Sequence, residues 1–416
     1  MSFSLRTSLL CLLCLLAAAS AGASPVSVTS LVQKALATHP ELRFYEAQVE
    51  AARGGKTTAG EIANPELLTG VGNWRVRDLA TGGVSDGPTW SVQLTQTFEW
   101  PGRLALRKAI AQKDIELAQL GVEQFRTALA ARVQNLCWKV LAGQEKTRAA
   151  EEVATRYQSL ATVLLQRDPA GAAPRLEARI VQANALNLSA AAAAARNELE
   201  AARFELNQLL GEKPGQAVEL RRETTTLNPP PTLESLLASA RRHNFDLRAR
   251  MLDVQQQGYE VKLAENERWP AISVVPFVQR QKNETRETQA GIGISIPLPL
   301  WNRNKGAIDS AKARQVQAEV MLTAQMRQLE REVAAEASHY RIHVEELAKW
   351  PGDTLDSFRQ AAAEADEHYR LGALPLATYT ELQQQYIDSV SAVLDSQLNA
   401  VEARLALEQL TGTKLP

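Results

Sequence analysis

The sequence predicts a mainly α-helical protein with a small membrane β-barrel contribution, made of two tandem copies of one unit. Three observations lead to this fold class. Matched motifs recur about 200 residues apart, which is longer than solenoid periods. Each copy holds a long stretch with few helix breakers, and each copy holds a strand in which apolar and polar residues alternate.

The duplication shows as paired motifs whose spacing changes only where loops differ in length. It predicts a signal peptide over 1–23, a first repeat over 24–213, a linker over 214–231 and a second repeat over 232–416. The motif pairs are Ser30-Leu31 with Ser235-Leu236, Pro65 with Pro270, Arg103 with Arg303, Gly171 with Gly372, and Gly211-x-Lys213 with Gly412-x-Lys414.

The N-terminal residues predict export. Arg6 precedes an apolar stretch over 9–19, and Ala21-Gly22-Ala23 offers a small-residue cleavage site, as in a secretory signal peptide. Two of the three cysteines lie inside this segment. Only Cys137 would remain after cleavage, in an apolar helical stretch, so we expect a buried packing residue and no internal disulfide.

Charge and hydropathy exclude some partners. The chain has 46 basic and 47 acidic residues and no basic tract, so we expect no nucleic acid partner. Beyond the signal peptide, no apolar run approaches the roughly 20 residues of a transmembrane helix. A mature chain that crosses a membrane would therefore do so with strands closed into a barrel.

The first copy begins with a predicted helix over 30–63, ended by Asn64-Pro65, and an extended segment to Arg77. A loop is predicted over 78–88. In the strand that follows, even positions are apolar apart from Gln96, and odd positions are polar. The apolar positions are Trp90, Val92, Leu94, Phe98 and Trp100.

The second copy repeats this order, with an extended segment over 269–279, a charged loop over 280–288 and an alternating strand. A soluble antiparallel sheet with one buried face alternates in the same way. Tryptophans at the segment ends favour a membrane barrel with an aromatic girdle, and four strands are too few to close one, so subunits would share it. The second strand's apolar face carries Ile292, Ile294, Ile296, Leu298 and Leu300.

Long helices follow each strand pair. They are predicted over 103–167 and 305–370, with a kink or break in the second at Pro351-Gly352. Each ends at a glycine turn, and returning helices follow over 175–210 and 376–410. Abundant alanine favours close packing, so we expect a curved wall of coiled-coil pairs rather than a filled core.

In their order and duplication, these segments resemble the TolC family of trimeric outer-membrane efflux channels. The resemblance implies a homotrimer in which tandem helical hairpins form an α-barrel and four β-strands per chain complete a 12-stranded barrel in outer-membrane lipid. It also implies a periplasmic adaptor and an inner-membrane pump as partners, and passive conduction of the pumped substrate. The agreeing motifs are the helix starts Pro40-Glu-Leu42 and Phe245-Asp-Leu247, the junctions Phe98-Glu-Trp-Pro-Gly-Arg103 and Leu298-Pro-Leu-Trp-Asn-Arg303, and the repeat endings Gln208-Leu-Leu-Gly211 and Gln409-Leu-Thr-Gly412.

Within that family, the junctions and the Arg-Leu-Gly turn resemble the branch paired with heavy-metal pumps of the resistance–nodulation–division (RND) class. The glycine turns resemble the periplasmic tips that receive the adaptor. A glycine that only ends a helix would look the same. The first tip departs from the pattern, since Asp168-Pro169 replaces Arg-Leu. The implied tip residues are Arg370, Leu371, Gly372, Ala373 and Leu374 in the second copy, and Gly171, Ala172 and Ala173 in the first.

The resemblance also implies a periplasmic gate shortly after each tip, where family members place acidic side chains. Glu177 and Thr378 lie six residues beyond the two glycines, and Ile180 and Glu381 lie nine beyond. One carboxylate per copy would form acidic rings in a trimer and favour cations. Ordinary solvated helix charges are the alternative reading.

Other functions have less support in the sequence. It holds no phosphate-binding glycine loop, Cys-x-x-Cys pair or nucleophile-elbow serine, so we expect neither an enzyme nor a cofactor. Glu336, His339 and His343 have a helical spacing that suits a metal, although solvated helical charge has the same spacing. The alternative function is a non-conducting periplasmic coiled-coil scaffold or adaptor, which explains the hairpins but not the tryptophan-ended strands.

Overall fold

The computed structural model describes residues 26–166, 172–216, 218–221, 227–282 and 286–415. The predicted signal peptide over 1–23 and the first tip at 168–171 lie outside them. The chain divides into two compact units: the first comprises Met1–Arg43, Glu123–Asn244 and Leu329–Pro416, and the second comprises Phe44–Val122 and Phe245–Gln328. Each unit therefore takes segments from both sequence copies. None of the described helices is long and apolar enough to cross a membrane.

The two copies contain their elements in the same order, and the predicted long and returning helices are confirmed. The long helix of the second copy is broken at Pro351-Gly352, as predicted. The first copy contains α1 (Val28–Thr38), α2 (Pro40–Ala59), β1 (Glu66–Arg77), β2 (Val84–Phe98), α3 (Arg103–Gln166) and α4 (Ala172–Leu210). The second contains α5 (Leu233–His243), α6 (Phe245–Asn266), β3 (Ile272–Lys282), β4 (Arg286–Ser295), α7 (Lys305–Leu347), α8 (Thr354–Arg370) and α9 (Leu376–Thr411).

The single helix predicted over 30–63 is wrong, because the structure has two helices with an extended residue between them. His39 has ψ of 124°, since the ring of Pro40 disfavours the helical conformation in the residue before it. The break recurs between α5 and α6 at Asn244, with ψ of 127° and no following proline. There the Asn244 side-chain amide donates to the Leu410 carbonyl (3.0 Å), which holds the extended residue in place.

The first strand pair extends further toward its turn than predicted. β2 begins at Val84, within the predicted loop over 78–88, because a short turn is enough to reverse the chain. In that turn the Asp78 carboxylate accepts the Ala80 amide (2.8 Å), and Gly82 adopts a φ of +69°. Glycine takes this left-handed conformation without steric cost, because it has no Cβ.

The second strand pair also differs from the prediction. β3 continues to Lys282 and β4 begins at Arg286, so much of the predicted loop over 280–288 is strand. β4 ends at Ser295, and the predicted strand residue Ile296 lies beyond it. The two prolines that follow Ile296 at alternate positions have no amide hydrogen to donate to a neighbouring strand.

The four strands of the second unit form one antiparallel sheet in the order β1-β2-β3-β4. Pairing between β2 and β3 joins the two sequence copies, with Trp90 opposite Arg280. Val71 on β1 also lies opposite Trp90, and Val274 on β3 lies opposite Ile294 on β4. Odd positions of β1 therefore share one face with even positions of the other three strands.

The junction between sheet and helices in the second unit is fixed by Arg103. This buried guanidinium donates to the Asn266 side chain (3.1 Å) and to the carbonyls of Asn266 (3.2 Å) and Trp269 (2.6 Å). Trp269 in turn stacks on Trp100, with ring centroids 5.2 Å apart. These contacts cap the end of α6 and place the start of α3 against it.

Arg303, the sequence counterpart of Arg103, does not repeat this role. Its side chain is exposed. Instead Asn304, in the left-handed conformation with a φ of +61°, donates from its side-chain amide to the Ala264 carbonyl (2.8 Å). Both long helices thus begin on the end of α6, but through different residues.

Small and aliphatic side chains fill two core clusters in the first unit. One lies among α1, α3 and α4 and includes Cys137, which is fully buried, so the prediction of a packing cysteine is confirmed. The other lies among α3, α4, α8 and α9 and combines alanines with Tyr157, Tyr379 and Tyr386. The alanines let the helix backbones approach closely, and the tyrosines supply the large buried side chains.

Candidate functional site

The first candidate surface is the apolar face of the sheet. Val92 and Leu94 lie on it between Trp90 and Phe98, and the face is open: Trp90 is 41% exposed and Phe98 is 48% exposed. Ile292 and Ile294 on β4 share this face and are 75% and 70% exposed. Ile296 is also exposed, but it follows the strand rather than belonging to it. The predicted shared face is therefore present for these β2 and β4 residues, without Ile296.

On β2 the opposite face is polar and more covered. Ser91, Gln93, Thr95 and Thr97 on β2 are half-buried, and the hydroxyls of Thr97 and Ser273 are hydrogen-bonded across the strands (2.9 Å). A soluble antiparallel sheet packs its apolar face on a core and leaves the polar face in water. On β2 the arrangement is reversed, so a soluble sheet with one buried apolar face does not describe this strand.

The second candidate surface is the turn between α8 and α9. Gly372 has a φ of +73°; its amide donates to the Tyr369 carbonyl (3.0 Å), and the Ala373 amide donates to the His368 carbonyl (2.9 Å). This pair of bonds is the Schellman end of a helix, in which the left-handed residue is usually glycine. Apart from its two chain neighbours, no described residue would have an atom within 4 Å of a Cβ at Gly372, so backbone conformation rather than lack of space requires glycine there.

The side chains around this turn point in different directions. Leu371 is 74% exposed, whereas Leu374 is half-buried and packs against the tyrosine-containing cluster. A tight turn here predicts that Leu371 and Leu374 both lack a core contact, and for Leu374 this prediction is wrong. Arg370 forms an ion pair with Asp366 one turn earlier on α8 (2.9 Å).

A tyrosine stack lies behind the turn and was not predicted. The Tyr379 ring stacks between those of Tyr369 and Tyr157, with centroid distances of 4.7 and 5.3 Å. Its hydroxyl donates to Asp366 (3.0 Å), the carboxylate that also binds Arg370. Burial, followed by the charge of Asp366, raises the pKa of Tyr379, so the hydroxyl stays protonated and keeps donating. The stack ties α3, α8 and α9 together directly behind the exposed turn.

The third candidate group is the set of predicted gate residues. Glu381 and Thr378 are exposed on α9, and the Glu381 carboxylate accepts a hydrogen bond from Gln385 one turn further on (3.2 Å). Glu177 is exposed on α4. Burial raises the pKa of Tyr369, and the negative charge of Glu177 raises it further.

The remaining predicted positions add little to the site. Gly171 lies outside the described residues, and α4 begins directly after it at Ala172. The His339 ring nitrogen lies 3.7 Å from the Glu336 carboxylate. Over the residues the structure describes, no three potential metal ligands gather at one point. The tyrosine stack was missed because its members are far apart in sequence, and no local motif marks them.

Comparison with known proteins gives a family match. The family described as outer membrane efflux protein matches residues 31–212 and 236–413. The chain is 27% identical over 301 residues to the cobalt-zinc-cadmium resistance protein CzcC of Cupriavidus metallidurans, covering 70% of this chain. It is 25% identical over 309 residues to the nickel-cobalt-cadmium resistance protein NccC of Alcaligenes xylosoxydans xylosoxydans, covering 72% of this chain. These matches span 66% of the length of each relative.

A solved structure shares the fold over nearly the whole chain. The Campylobacter jejuni CmeC outer membrane channel superimposes with a TM-score of 0.74, covering 92% of this chain and 85% of CmeC. Sequence identity in that superposition is 14%, so the likeness concerns the fold.

Proposed function

Because the chain belongs to the outer membrane efflux protein family, whose members are channels and not enzymes, we propose that it is the outer-membrane channel of a tripartite efflux system. The observation that carries this proposal is the pattern of β2, whose apolar side is open and whose polar side is half-buried. A strand that separates lipid from a water-filled lumen has this arrangement.

Three copies of the chain supply the complete channel in this proposal. Four strands are too few to surround a lumen, since the smallest membrane barrels have about eight. The strands of a homotrimer would close one barrel, with Trp90, Val92, Leu94, Phe98, Ile292 and Ile294 against lipid. The helical hairpins would extend into the periplasm, and the predicted signal peptide would direct export.

The cargo we propose is a divalent heavy-metal cation. The support is the names of two relatives, which refer to resistance against cobalt, zinc and cadmium and against nickel, cobalt and cadmium. The channel would conduct passively, with energy supplied by an inner-membrane RND pump joined through a periplasmic adaptor. Exposed Leu371 and the turn at Gly372 would meet the adaptor, and Glu177, Thr378 and Glu381 would line the periplasmic gate.

The scaffold alternative is less consistent with the sheet. A periplasmic scaffold would be surrounded by water on all sides, and an open apolar face of this kind would then favour aggregation. Fractionation separates the two functions: a channel remains in the outer-membrane fraction as a trimer, whereas a scaffold is released with the periplasmic contents.

A complementation experiment tests the proposed cargo. In a host lacking this chain but retaining its pump and adaptor, the wild-type chain should raise the tolerated concentrations of Co²⁺, Zn²⁺, Cd²⁺ or Ni²⁺ several-fold. The control is the same host without the pump, in which the channel alone should give no resistance. Resistance to organic drugs without any change in metal tolerance would contradict the metal proposal, and a soluble periplasmic protein would contradict the channel.

A further inference from the structure

One face of the sheet changes from apolar to basic toward its turns. Along β3 the outward residues run from Ile272 through Val278 and then to Arg280 and Lys282. The same change occurs on β1 after Val71 and on β4 before Ala290. We call the resulting set of outward cations the basic row; it consists of Arg75, Arg77, Arg280, Lys282 and Arg286.

The basic row carries more positive charges than the same face of the sheet carries negative charges. Asp86 carries the one carboxylate on this face of the described strands, and that carboxylate lies 3.4 Å from the Arg75 guanidinium. Lys282 lies directly opposite Arg286 in the register, and like charges at paired positions repel. Within the described residues, neither of these two cations nor Arg280 has a carboxylate within ion-pair distance.

Arg280 adds a second, independent sign of an absent partner. Its Nε is buried and has no hydrogen-bond acceptor among the described residues. A buried guanidinium nitrogen without an acceptor is costly, because it has lost water without gaining a protein partner. An anion with several oxygen atoms would satisfy this nitrogen and the repelling pair beside it.

The basic row lies a short distance along the strands from the apolar residues of the same face. Val278 and Arg280 are two residues apart on β3, which is about 7 Å along a strand. On β2 the apolar positions run from Trp90 to Phe98, about 27 Å along the strand, close to the roughly 25 Å lipid-facing band of outer-membrane proteins after allowance for strand tilt. The cations therefore lie where lipid chains end and head groups begin.

We propose that the basic row binds the phosphate groups of a phosphorylated glycolipid in the outer leaflet of the membrane. The proposal rests on the proposed outer-membrane function. Arginine is suited to this ligand, since its planar fork donates two parallel hydrogen bonds to a phosphate. The acyl chains of the same lipid would cover the apolar band, so one molecule satisfies both surfaces.

The test uses the full-length trimer, purified and reconstituted in phosphatidylethanolamine vesicles with either bisphosphorylated lipid A or lipid A stripped of both phosphates. Retained glycolipid is then measured by native mass spectrometry. The variant is Arg280→Gln with Lys282→Gln and Arg286→Gln. The control, Arg179→Gln with Arg242→Gln and Arg327→Gln, removes the same charge from exposed helix positions. Arg75→Gln with Arg77→Gln gives a second variant on the other edge strand.

We expect the wild type and the control to retain about tenfold more of the phosphorylated lipid, and the triple variant to lose that preference. Equal retention of the two lipids by the wild type, or an unchanged preference in both variants, would overturn the proposal. Displacement of the lipid by millimolar inorganic phosphate would also overturn the proposal, because a simple anion site would then be sufficient to explain the binding. If the trimer inserts into both kinds of vesicle but shows no preference for the phosphorylated lipid, only the lipid proposal fails and the proposed channel function stands. If it inserts into neither kind of vesicle, the lipid proposal and the channel proposal are both contradicted.

Discussion

A left-handed backbone at Gly372 links the end of α8 to the proposed adaptor contact. Gly372→Val should disturb the turn, because a branched side chain disfavours a φ of +73° by about 1–2 kcal/mol or more. The core cluster behind the turn does not contain Gly372, so the fold should survive. We expect metal tolerance to fall to the level of a strain without the channel, at a normal amount of outer-membrane trimer.

Gly54→Ala is the matched control for this variant. Gly54 lies within α2, has open space around its Cα and has no left-handed φ, so alanine should be neutral or slightly stabilising there. Quantitative immunoblots of membrane fractions beside growth curves in metal check both variants. Loss of the trimer itself in Gly372→Val would show that the glycine serves the fold rather than the docking surface.

At the scale of single elements, the two faces of β2 should respond differently to one charge. Val92 is on the open apolar face, between Val278 and Thr69 on the neighbouring strands. Val92→Arg should destabilise the membrane-inserted sheet by about 2–4 kcal/mol near the bilayer midplane. Thr95→Arg should be tolerated, because Thr95 lies on the polar face opposite Glu66, where an opposite charge is favourable.

The measurement for this pair is the fraction of protein that forms a heat-resistant trimer in outer-membrane preparations. A lower fraction for Val92→Arg than for Thr95→Arg is the expected result. Equal assembly of the two variants would contradict the assignment of the Val92 face to lipid.

The same elements show how much of the fold the sequence could predict. Alternation over β2 predicted both the strand and its shared face, because side-chain direction depends only on local backbone geometry. The break at His39 had a local signal in Pro40, but the break at Asn244 depends on a bond to Leu410 at the far end of the chain. The Tyr157–Tyr379 stack likewise needs contact between helices from both copies, and no local pattern carries that information.

At the scale of the whole molecule, the proposed trimer would bring three copies of each gate carboxylate together in a ring. Glu381 and Glu177 are exposed, and neither forms an ion pair among the described residues, so their charge is available to a passing cation. Three copies related by symmetry would raise the local concentration of cations at the gate, where the helices of the trimer would converge. The tyrosine stack would hold the ends of α8 and α9 in place while the exposed carboxylates stay in water.

Replacing both carboxylates by the isosteric amide tests this gate. In planar bilayers, the trimer with Glu177→Gln and Glu381→Gln should show a weaker preference for cations than the wild type. The difference should be largest at low ionic strength, because salt screens such charges beyond about 10 Å at 0.1 M. Glu332→Gln with Glu345→Gln, on α7, removes the same charge away from the proposed gate and should leave selectivity unchanged. Unchanged selectivity and conductance in the gate variant would place both carboxylates on the outer wall of the helices, and the cation preference of the channel would then need another source.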